Sequence, residues 1–265
     1  MEHTMAQNPV INKFGQATGG GSVATPSAVD LRKMYDQPAY TGPRTARYMT
    51  LDDVVTRTAA MLGVLLVAGA VSWELVSPHA SGAVLLIGAM GGLGLGLYMS
   101  FTLRANALTA LLYAALEGVA LGAISKLFNA AYQGIVIQAV TGTVMVAVGM
   151  LFVYRIGAIR VTPKFTRVVV GATIGVFGLM IVNAIAYLFH PGGLGLRSGG
   201  ALAIIFSLIV IGIAAMNLVL DFDMIERGIR NGADVKFAWF AAFGLTVTLV
   251  WLYLEILRLL SYLRN

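Results

Sequence analysis

Apolar residues in this chain neither alternate at strand spacing nor line one face at helical spacing. They come in unbroken runs. A membrane span needs about 20 largely apolar residues, and seven runs qualify: Thr58–Val76, Gly82–Phe101, Ala105–Ser125, Gly134–Tyr154, Val168–Phe189, Ala201–Leu220 and Phe237–Leu260. Each is apolar all round, so none reads as an amphipathic surface helix. The links between them are short, except Arg155–Arg167 and Asp221–Lys236. The expected fold is all-α: a polytopic membrane protein with a bundle of seven transmembrane helices over residues 50–265. Residues 1–49 read as a disordered cytoplasmic tail. Gly19 to Ser27 has linker composition, and Pro38 and Pro43 punctuate the rest of that tail. Order is expected to begin near Met49, with Thr50 capping the first helix and Asp53 reaching back to it.

Composition sharpens this picture. Charged residues make up 11% of the chain and hydrophobic ones 58%, with a mean hydropathy of +0.82. A soluble domain carries about a quarter of its residues charged. The absence of cysteine excludes disulfides, thiolate chemistry and Cys-ligated metal. His3, His79 and His190 are scattered, with no metal-ligand spacing. The net charge of +6 reports orientation in a membrane chain and gives no case for nucleic acid. With the N-terminus in the cytoplasm, fourteen Lys and Arg fall inside and four outside (Lys126, Arg197, Arg258, Arg264). That favours a multi-pass cell-membrane protein with its C-terminus outside. Gly88, Gly92 and Gly96 recur at the spacing that lets helices approach closely, which argues packing.

The candidate chemistry lies in acid groups near or within the apolar runs. A carboxylate facing hydrocarbon costs several kcal/mol, so one found there faces protein or water and serves a proton or cation path. Asp221 and Asp223 stand where the sixth run ends, Glu255 lies well inside the seventh, and Glu117 is about 18 Å into the third at helical rise. A plainer alternative has Asp221 and Asp223 capping a helix end at the headgroups and Glu255 pairing with Arg258 one turn on. Asn217 stands one turn before Asp221, and Arg104 closes the second run as the basic group best placed to balance Asp221. Two carboxylates brought together in low dielectric cannot both ionise cheaply, so such a pair is pH-sensitive. Deprotonated, it offers hard oxygen ligands suited to calcium.

Three pieces resemble the Bax inhibitor-1 family, which includes the transmembrane Bax inhibitor motif proteins and bacterial YccA-like relatives. They are Glu117-Gly118-Val119-Ala120-Leu121-Gly122, Leu220-Asp221-Phe222-Asp223-Met224-Ile225 and Leu252-Tyr253-Leu254-Glu255-Ile256-Leu257. The likeness covers residues 50 to 265. It implies a helical bundle around a central last helix, with an acidic pair between the last two spans gating a pH-dependent calcium leak. Asp221 and Glu255 would be that pair and the calcium ligands, with Glu117 and Glu255 as the alternative pair. Here Glu stands where the family has Asp in the last span, and Asp223 where it often has Gln.

A pH-sensitive calcium or cation leak is the first functional expectation, with the lipid bilayer, calcium or protons as partners and no resident cofactor. The second is an interaction protein that regulates a membrane protease or other membrane components without transport. No catalytic motif appears, so an enzyme is not expected.

Overall fold

The computed structural model describes residues 32, 47–77 and 80–264. Most of the expected tail, with its linker and His3, lies outside the described residues, as does His79. Among the described residues there are seven long helices: α1 Leu51–Leu75, α2 Ser81–Thr102, α3 Ala107–Ala131, α4 Ile135–Arg155, α5 Pro163–Phe189, α6 Gly200–Arg230 and α7 Phe237–Leu263. All seven are long and apolar enough to cross a membrane. Large side chains such as Phe101, Leu75 and Leu188 stand exposed on them. In water such a surface would be an interaction patch; here it faces lipid.

Local chemistry sets the helix starts. Thr50 and Asp53 form the expected reciprocal cap on α1, and Asn106 with Thr109 repeats it on α3. Thr162 caps α5, whose first residue, Pro163, has no N–H to satisfy. Order reaches back into the stretch expected to be tail. Met49 N–H donates to the Ala233 carbonyl and Val235 N–H to the Arg47 carbonyl, and Met49 is buried.

The last helix is the axis. It packs against α1, α3, α4 and α6, while α2 rests on α3 and α5 on α6. Over the most apolar window, 56% of α7 is buried against 11% of α5, which separates the axial helix from a peripheral one. Leu252, Leu257 and Phe243 of α7 share one core with Met61, Tyr113, Ile135 and Leu218.

The end of the sixth helix differs from the sequence expectation. The apolar run stops at Leu220, but α6 continues to Arg230. Its extension carries its own apolar stripe: Ile225 is buried against Met49, Val54, Ala238 and Ala241. Ion pairs at helical spacing, Asp223–Arg227 and Glu226–Arg230, support it on the outer side. The extension moves Asp221 from a helix end to a helix interior.

Candidate functional site: carboxylates around the last helix

Asp221 lies nine residues before the end of α6, about 13 Å along the axis. It is half-buried and faces α7. The Thr248 hydroxyl donates to its Oδ2 at 2.6 Å. The same hydroxyl also lies 3.1 Å from the Gly244 carbonyl, but a hydroxyl has one proton to give, and the shorter contact is to the carboxylate. Gly244, one turn earlier, leaves room: a Cβ there would sit 3.6 Å from Asp221 Oδ1. Among the described residues no ion pair neutralises Asp221.

Glu117 lies ten residues into α3. Its carboxylate packs on Gly92 of α2, where an added Cβ would come within 3.0 Å of its Oε1. Tyr113, one turn earlier, is its polar neighbour, and the Tyr113 ring meets Phe243 of α7 edge-on at 5.0 Å. Gly88 and Gly96 also face α3, so the glycine repeat is the α2–α3 contact that its spacing suggested.

Glu255 is 2% exposed. Arg197 Nη2 and Arg258 Nη1 both donate to its Oε1 at 2.9 Å, while Oε2 is buried without a partner. Arg258 comes from the same helix, one turn on. Arg197 arrives from the glycine-rich link between α5 and α6. There its guanidinium also meets Met180 Sδ at 3.1 Å and stands over the Phe206 ring, and its carbonyl accepts from the Tyr262 hydroxyl.

The expected Asp221–Glu255 pair is therefore not formed. Thr248, which holds Asp221, precedes Glu255 by seven residues on α7, about 10 Å of helix. Calcium takes six to eight oxygen ligands, and Glu255 Oε1 is already bound by two guanidiniums. No group of three or more acid or histidine side chains is positioned for a metal among the described residues. Glu117 and Glu255 do not share a partner either. Asp223 caps no helix end: it lies within α6, bound by Arg227 at 2.7 Å, whereas the Glu255–Arg258 pair of the plainer alternative is formed. Arg104 is exposed in the α2–α3 link, and Thr248 takes the place expected for it. Asn217 turns to α5, donating to the Thr173 hydroxyl at 2.8 Å, and acts as interhelical glue.

Two partners, Thr248 and Arg197, had no assigned role in the sequence. Thr248 carried a faint signal, standing one turn after a glycine in Gly244-Leu245-Thr246-Val247-Thr248. Arg197 was visible only as one of the four basic residues expected outside.

The family model described as Bax inhibitor 1 like matches residues 8–265. The chain belongs to the Bax inhibitor 1 family. No characterised protein and no solved structure matches it significantly. Within this Bax inhibitor 1 family member, Glu117 to Gly122 is a packing element as much as an acid site. A Cβ on Gly118 would fall 2.3 Å from the Leu65 carbonyl oxygen, and one on Gly122 2.2 Å from that of Gly69. The two glycines let α1 and α3 touch backbone to backbone.

Proposed function

We propose that this Bax inhibitor 1 family member conducts cations across the membrane, with calcium the favoured ion and no catalytic activity. It lies with the N-terminus inside and the C-terminus outside. The observation that carries the reading is Asp221, a carboxylate in the interior of a membrane helix whose one hydrogen-bond partner among the described residues is the neutral hydroxyl of Thr248. An acid group packed between two helices of an apolar bundle without a countercharge is costly, and such groups mark ion and proton paths. Glu117 is the second candidate on the path. Glu255 is read differently from the sequence expectation. Balanced by Arg197 and Arg258, it is assigned to fastening the α5–α6 link over the end of the bundle, not to binding the ion.

Purified protein in calcium-loaded liposomes tests this. The wild type releases calcium, and release falls as the medium is acidified, because protonation removes the charge that the cation meets. Asp221→Asn abolishes both the release and its pH dependence. Unchanged flux in Asp221→Asn overturns the assignment. No flux from the wild type leaves the regulatory role as the better reading.

A further inference from the structure

Helices α1 and α4 flank a groove of about 710 Å³ whose floor is made by α3 and α7. Ligand sites span about 300–1,000 Å³. The walls run from Leu62 to Glu74 on α1 and from Val136 to Val148 on α4. Twelve residues of helix make about 18 Å, close to one leaflet's share, about 15 Å, of a 30 Å hydrocarbon core. Wall residues such as Leu66 and Val144 are exposed, so the groove opens sideways into the bilayer.

One end is polar. Ser125 and Tyr253 share a hydrogen bond of 2.6 Å on the floor, and Glu74 and Asn129 stand at the rim. Beside them Lys126 Nζ donates to the carbonyls of Trp73 and Val76 at 2.6 and 2.9 Å. An ammonium has three donors, so one remains. Glu74 is exposed, with no hydrogen bond or ion pair among the described residues. Lys126 Nζ binds carbonyls on either side of Glu74 in the chain, so a cation and an anion stand at the same end of the groove, complementary to the phosphate and the amine of a zwitterionic headgroup.

We propose that this groove is a binding site for an ethanolamine phospholipid. One acyl chain lies along α1 and α4, the phosphate meets Lys126 and the ammonium meets Glu74. The site is independent of the cation path.

The full-length protein in mild detergent is offered equal amounts of ethanolamine and glycerol phospholipids with matched acyl chains, and retention is read by native mass spectrometry. One lipid per chain is retained, with the ethanolamine head preferred by about fivefold, the ratio that roughly 1 kcal/mol of differential affinity gives. Glu74→Gln, an exposed substitution, brings the ratio near one and leaves retention intact. Ala70→Trp, from an exposed wall position, fills the groove and removes retention. Equal retention of both heads by the wild type overturns the proposal. So does retention untouched by Ala70→Trp, or a second copy of the chain in place of lipid.

Discussion

Glu255 shows how far a single residue's role depends on partners remote in sequence. Its depth and its spacing from Arg258 were legible, because both follow from helical rise. Its second arginine was not: Arg197 is 58 positions away, and only the folded α5–α6 link delivers it. The same holds for Asp221, whose partner Thr248 is 27 positions on. Removing one member of a buried ion pair leaves the others uncompensated and costs about 3–5 kcal/mol. The two arginines keep 20% and 27% of their side-chain surface exposed, which places the cost at the lower end. Glu255→Gln is expected to destabilise the protein by about 3 kcal/mol, read as a clear drop in thermal unfolding midpoint in detergent. An unchanged midpoint would remove Glu255 from the role of fastener.

Among the elements, the seven apolar runs translated almost directly into helices, because a bilayer admits few other ways to satisfy backbone hydrogen bonds. The cap at Thr50 was readable from its spacing to Asp53, and the start of α7 at Phe237, which no side chain caps, from the onset of its apolar run. The end of α6 was not. Charged residues there looked like the membrane boundary, yet they pair along the helix while Ile225 buries on the opposite face. The glycines divide into two kinds. Gly122 sits where a Cβ would be 2.2 Å from the Gly69 carbonyl oxygen, whereas nothing lies within 4 Å of a Cβ on Gly63. Gly122→Ala is expected to force α1 from α3 and cost about 1–3 kcal/mol, as overpacking does. Gly63→Ala should be neutral or gain up to about 1 kcal/mol of helix propensity. Paired unfolding measurements check both, and equal behaviour would count against the backbone contact.

For the whole molecule, orientation is the property that charge distribution predicts most directly. Arg160 in the α4–α5 link, with Arg155 at the end of α4 and Lys164 and Arg167 at the start of α5, is expected inside; the α5–α6 link with Arg197 is expected outside. The natural chain has no cysteine, so single substitutions give clean labels. A membrane-impermeant thiol reagent added to intact cells should modify Leu194→Cys and spare Ala158→Cys. The reverse pattern would invert the topology. At the opposite face from Arg197, Arg47 and Met49 are stitched by backbone hydrogen bonds to Val235 and Ala233, in the turn joining the two helices that enclose Asp221. A force applied to the chain ahead of Arg47 is thus delivered first to that turn, making this short stitch a leash on the connection between α6 and α7.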